Sequence, residues 1–160
     1  MFRIYRDVRF SRDKSPYKTY AAAQFRHKKG KDVHAPGYYL HLSPDGVFLG
    51  SGIWHPDSAA ALRIRESIVE RAAAWKRILR GKAFRDGSLQ LGGNSLKRPP
   101  RGFDADHPLI EDLKRKEFIT VTELDANEAC RPDFLARYEK ICRSSAPFLR
   151  FLAEALGLEF

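Results

Sequence analysis

What this chain has little of narrows the field first. Cysteine occurs only at positions 130 and 142. The pair lacks both the CxxC spacing of a redox motif and the paired spacing of a zinc site, so reduced, mostly buried thiols are expected. No stretch reaches the ~18 uninterrupted apolar residues of a membrane span. Arg3 and Arg6 interrupt the first apolar run, so no basic-then-apolar leader is legible. These absences predict a soluble, cytoplasmic protein that does not engage a membrane. Also missing are a phosphate-cradling glycine loop, a dinucleotide fingerprint and an HExxH helix, and Gly50-Ser51-Gly52 is no nucleophile elbow. Internal repeats and low-complexity tracts are lacking too. Nothing in the sequence designates a metal site or a cofactor.

What is present is enough for one packed domain over residues 1–160. Hydrophobic residues make up 43% of the chain and aromatics 12%, so disorder is not expected. The net charge of +9 is unevenly spread. Residues 1–32 hold ten Lys/Arg against three Asp, whereas residues 33–160 hold nineteen against seventeen acids. A positive field concentrated at one end predicts an anionic partner, set against the plainer reading of a solvated basic surface.

Read in order, residues 2–10 alternate with the period of a strand, placing Phe2, Ile4, Arg6, Val8 and Phe10 on one face. Arg6 then sits in the middle of an apolar face and requires a carboxylate or a bound anion, with Asp13 and Asp104 as internal candidates. A loop with Arg12, Lys14 and Lys18 follows. Residues 21–25 resume a strand, and 26–37 read as an exposed basic loop. The clearest unit comes next: GYYLHL and VFLGSGIW flank Ser43-Pro44-Asp45-Gly46, a hairpin whose register pairs Leu42 with Val47 and Leu40 with Leu49. One hairpin face is apolar core. The other sets His41 against Phe48 and Tyr39 against Gly50, with Gly52 and Trp54 further along. Two glycines leave that face bare, so either a ring or helix packs on it or a ligand approaches the backbone there.

Pro56-Asp57-Ser58 opens a helix predicted to run to Gly81, with its charged residues forming a solvated face. Asp106-His107-Pro108 starts a short helix, residues 117–124 form a β-branched strand, and a last helix from Pro132 is expected to break or kink at Pro147. Strands gathered early and helices late predict an α+β fold, a mainly antiparallel sheet with helices packed on one face.

Arg3, Arg6, Asp7, Arg9, Phe10, Asp13, Lys14 and Tyr17, together with PGYYLHLSP, GSGIW, LKRPPRGFDADHPLI and APFLRFL, carry a resemblance over nearly the whole chain. The sequence is similar to the bacterial domain-of-unknown-function family 2461. That resemblance implies no activity, substrate or catalytic residue. Members of that family usually carry a further helical region upstream of these residues, which this chain is expected to lack.

The opening stretch is the candidate anion site. Arg3 and Arg9 suit bidentate phosphate or carboxylate contacts, Lys14 supplies a point charge, Tyr17 a hydroxyl donor, and Arg6 with Asp7 and Asp13 completes the set. Tyr39, His41 and a second loop bearing Lys97, Arg98 and Arg101 are its expected supports. The structural alternative is an arginine–aspartate network pinning the loop to the sheet. Two other classes stay open. An enzyme, most plausibly a hydrolase, would draw its acid–base chemistry from His41 or from the Asp104, Asp106 and His107 cluster, whose DxDH pattern also suits a divalent metal. The plainer readings there are a packed histidine and a polar loop feeding a helix cap. A nucleic-acid module would stack bases on the aromatics interleaved with the N-terminal basic residues, though no standard module signature is present.

Overall fold

In the computed structural model, residues 2–12, 14–26 and 35–158 are described. Five strands form one antiparallel sheet: β1 Ala21–Arg26, β2 Gly37–Ser43, β3 Gly46–Ile53, β4 Gln90–Gly92 and β5 Phe118–Leu124. Their order across the sheet is β1-β2-β3-β5-β4. The fold is α+β, with helices on one side of the sheet.

The hairpin has the predicted register: Leu42 opposite Val47, Leu40 opposite Leu49, Tyr39 opposite Gly50 and His41 opposite Phe48. Its alternation decides which way each side chain points. Val47, Leu49, Ser51 and Ile53 are buried beneath the helices, and Ser51 bonds Thr120 of β5 hydroxyl to hydroxyl at 2.5 Å. The intervening residues face the opposite, outer side.

Helices α1 Ser58–Glu70, α2 Ala72–Leu79, α3 Lys82–Arg85, α4 Ile110–Leu113 and α5 Phe134–Ala155 complete the described elements, with a 3-10 turn at Ala126–Cys130. Asp57 caps α1 by accepting the Ala60 amide at 2.7 Å. Ile64, Ile68, Trp75, Leu113, Phe118, Phe148 and Leu152 are fully enclosed and join the helices to the sheet. The Trp75 indole donates to Asp112 at 2.9 Å, which satisfies its one polar atom.

Three expectations are corrected. The helix predicted from Pro56 to Gly81 is segmented at Arg71, which leaves helical geometry at φ −112°. Its guanidinium reaches across to α5, bonding Glu154 at 2.5 Å and lying 4.3 Å over the Phe151 ring. Conversely, the break expected at Pro147 does not occur, and α5 runs through it as one 22-residue helix. Ser144 and Ser145 donate their hydroxyls to the Lys140 and Cys142 carbonyls in the turn before the proline.

The third correction concerns residues 2–10, which form no strand among the described residues. The segment folds back on the loop behind it, through Lys18 N–H to the Ile4 carbonyl at 2.9 Å, Arg6 N–H to the Pro16 carbonyl at 3.0 Å, and a Tyr5–Tyr17 bridge. A single bond, Phe2 N–H to the Ala22 carbonyl at 2.9 Å, ties it to β1. Phe10 is 97% exposed, so the expected apolar face is not a core face. Arg6 is exposed as well and donates to the Ser15 hydroxyl at 3.2 Å. A strand-like period supplies side-chain alternation but not a partner edge, and burying Arg6 would cost several kcal/mol.

Candidate functional site

The outer sheet face is where the sequence left a question, and it holds a cleft of about 490 Å³. Its floor is the backbone of Gly50 and Gly52 on β3. Phe2, Tyr39, Phe48, Trp54, Ile119 and Val121 line it, and Arg26 with Gln24 stands at its edge.

The two floor glycines have different causes. Gly52 has φ +131°, and a Cβ there would lie 2.1 Å from the Phe118 carbonyl oxygen, so the close approach of β5 admits only glycine. At Gly50 a Cβ would meet nothing nearer than the Tyr39 Cβ at 3.6 Å, an ordinary contact. The backbone tolerates a side chain at Gly50; its absence is what keeps the floor open.

The walls are held by ring contacts. Phe2 lies 6.2 Å from Tyr39 between centroids, and Tyr39 lies 5.6 Å from Phe48. His41 is stacked between Tyr20 and Phe48, 4.6 Å from each. Its Nδ1 is 3.3 Å from the Tyr39 hydroxyl. Burial, and secondarily the nearby Tyr20, raises the Tyr39 phenol above its ordinary value, which keeps it a neutral hydrogen-bonding group. Arg26 is exposed and donates to Gln24 Oε1 at 2.7 Å, leaving much of its guanidinium fork for an anion.

Trp54 leads directly into a second feature. His55 takes φ +50°, the only described non-glycine residue with positive φ. Its Nδ1 lies 3.3 Å from Glu117 Oε1, and the His55 side chain is 67% exposed while that of Glu117 is 2% exposed. The other carboxylate oxygen accepts the Asn94 amide at 2.6 Å. The His55 ring meets Trp54 edge-on at 4.7 Å. A buried carboxylate therefore orients an exposed imidazole beside a residue of the cleft wall.

The residues singled out from sequence are distributed as follows. Asp7 and Arg9 spend their forks on each other, at 3.0 and 2.7 Å, and that bond holds the Asp7 carboxyl below its usual value. Lys14 donates to the Val8 carbonyl at 2.9 Å. Tyr17 lies on Tyr5, 5.5 Å between centroids. Arg3 is exposed, and its charge attracts Asp7. Asp13, expected beside Arg6, lies outside the described residues. Lys97, Arg98 and Arg101 are exposed on the loop between β4 and α4, and among the described residues no hydrogen bond or ion pair joins them to the N-terminal segment.

Asp104 accepts the Asp106 amide at 3.0 Å, and His107 Nδ1 accepts the Leu109 amide at 3.1 Å. That is the polar loop feeding a helix. Among the described residues no group of three or more His, Cys, Asp or Glu is placed to hold a metal ion. Of the rings proposed for base stacking, Tyr5, Tyr17, Tyr20 and Phe25 are engaged with other rings.

Among the described residues, Tyr39 alone of the sequence candidates lines the cleft. Sequence reasoning passed over Arg26, assigned to a loop, and the His55–Glu117 pair, whose members stand on separate elements. His55 next to Pro56, at the end of a strand, carried no pattern that a lone histidine would lack. Larger clefts of about 580 to 830 Å³ on the helical side contain none of the sequence candidates.

A family described as conserved hypothetical protein, DUF2461, matches residues 1–151. No curated protein and no solved structure gives a match.

Proposed function

Since the chain belongs to the DUF2461 family, whose description names no activity, we propose from its geometry that it binds a small ligand with a flat apolar body and one anionic group. The observation that carries this reading is the glycine-floored cleft with aromatic walls. Its volume of about 490 Å³ falls in the range of small-molecule sites, roughly 300–1,000 Å³. Bare backbone at Gly50 and Gly52 lets a ring lie flat on the sheet between Tyr39 and Trp54. Arg26 meets a carboxylate or phosphate at the edge.

The test is a thermal-shift and calorimetric screen of aryl carboxylates, aryl phosphates and nucleotides. Gly50→Leu fills the floor while leaving the backbone in place, so it is expected to remove binding and keep the melting temperature within a few degrees. Arg26→Gln is expected to weaken anionic compounds about tenfold or more and leave neutral analogues unchanged. Binding that survives Gly50→Leu would sink the proposal.

The His55–Glu117 pair favours a second reading, a hydrolase acting at the same cleft. The buried carboxylate fixes the imidazole ring so that His55 Nδ1 is engaged and Nε2 is left to exchange protons with a water or a leaving group. Hydrolysis of aryl esters or aryl phosphates above the buffer rate, lost in His55→Gln, is the expected result; no turnover of either class removes this reading.

A further inference from the structure

On the helical side of the sheet lies a surface that the charge count along the chain concealed. Residues 71–85 contain six Lys/Arg and no acid. The apolar side chains of α2 turn inward: Trp75 is fully buried, and Ile78 and Leu79 pack on the core. The cations are thereby displayed outward, and Lys76, Arg77, Arg80, Lys82 and Arg85 are all exposed. Among the described residues none of these five has an ion-pair partner within 4 Å. Asp86 attracts Lys82 and Arg85 from a distance.

Two clefts, of about 600 and 580 Å³, open along this surface and share Arg77, Gly81 and Lys82. Across the larger one stands α5, contributing Arg143 and Arg150. Arg71 also lines it but is paired with Glu154, the one acid in its lining. Arg143 pairs with Glu139 at 2.5 Å. The lining of the smaller cleft includes no acid at all.

We propose that this groove binds the phosphate backbone of a nucleic acid, without reading its bases. Three observations select that partner. The cations span two joined clefts, more than one phosphate of a small ligand would engage. They line two open, shallow clefts in succession, along which a string of phosphates can run. None of the large exposed apolar side chains belongs to α2 or α3, so the surface lacks the apolar anchors of a membrane-binding helix. Base stacking has no platform here, because Phe84 and Phe151 are tucked into the floor. Recognition is electrostatic and strongly salt-dependent. The surface lies across the sheet from the glycine-floored cleft, and the inference is independent of what that cleft holds.

Fluorescence anisotropy with a labelled single strand and a labelled duplex of mixed sequence, about 20 nucleotides long, tests it from about 50 to about 300 mM salt. Binding is expected to be sequence-independent, with log K falling against log salt at a slope of about −3 to −5, the release expected for about four to six neutralised phosphates. The triple variant Arg77→Gln/Arg80→Gln/Lys82→Gln changes exposed side chains only. It is expected to lose at least about tenfold in affinity and to flatten the slope by about 2 to 3, with an unchanged circular dichroism spectrum. Arg3→Gln/Arg9→Gln/Lys14→Gln and Gly50→Leu are expected to leave binding unchanged. Absence of binding at low salt overturns the proposal, as does an undiminished slope in the triple variant or loss of binding in the N-terminal variant. Binding to phosphatidylserine vesicles with none to either oligonucleotide would overturn it in favour of a membrane surface.

Discussion

Gly50 and Gly52 stand two residues apart on one strand face, and their neighbours give them opposite tolerances. Alanine at 52 would drive its Cβ against the Phe118 carbonyl at a φ that L side chains rarely adopt. Gly52→Ala is expected to cost at least about 2 kcal/mol. Gly50→Ala meets only ordinary contacts and is expected to change stability by less than about 1 kcal/mol. Urea midpoints at constant slope measure both. The sequence showed two glycines on a bare face but could not separate them, because β5, remote in the chain, sets the conformation at Gly52. The same distance hid Glu117 from His55: neither residue is remarkable until the end of β3 meets the start of β5.

Elements were legible in proportion to how locally they are determined. The β2–β3 register followed from a turn sequence flanked by clean alternation, and both are properties of adjacent residues. The N-terminal segment alternates just as cleanly, yet its exposed Arg6 and Phe10 show that the period alone recruits no sheet edge. The Arg71 interruption needed Glu154 and Phe151 of α5, which no reading of residues 58–81 contains. At Pro147 the expectation of a break rested on a real cost. A proline there removes an amide donor to the Arg143 carbonyl, while α5 is held by Phe148, Leu149 and Leu152, all fully buried. Packing outweighs the lost bond. Pro147→Ala is therefore expected to stabilise the protein by about 1–3 kcal/mol, seen as a melting temperature several degrees higher.

Across the whole molecule, several acidic protons are held more tightly in the fold than in an unfolded chain. Burial, as the leading cause, raises Tyr38, Tyr39, Tyr138 and Cys142 above their ordinary values of 10.0 for the phenols and 9.0 for the thiol. As pH rises past those ordinary values the unfolded chain ionises first and binds fewer protons than the native one, so stability must fall. It is expected to hold to about pH 9 and decline above it, in urea titrations at successive pH values. Among the described residues the buried Tyr138 hydroxyl has no hydrogen-bond partner, with the Cys142 thiol and the Tyr38 phenol near it, so Tyr138→Phe is expected to raise stability by about 1 kcal/mol and make the alkaline decline shallower.

Charge at this scale also needed the fold. The near balance of residues 33–160 averaged a wholly cationic helix surface with acids lying elsewhere, and only the burial of Trp75 and its neighbours shows which way those cations face.

One wall of the sheet cleft is Phe2, and the segment it belongs to meets β1 through a single backbone bond to Ala22. So slight an attachment opens at a small fraction of the free energy of global unfolding. Occupancy of the cleft and docking of the segment are then thermodynamically coupled, and the coupling is reciprocal. A ligand that packed against Phe2 would tighten the N-terminus onto the sheet by the same factor that the docked N-terminus raised its affinity. The docked fraction of the segment would then be a readout of that ligand's binding.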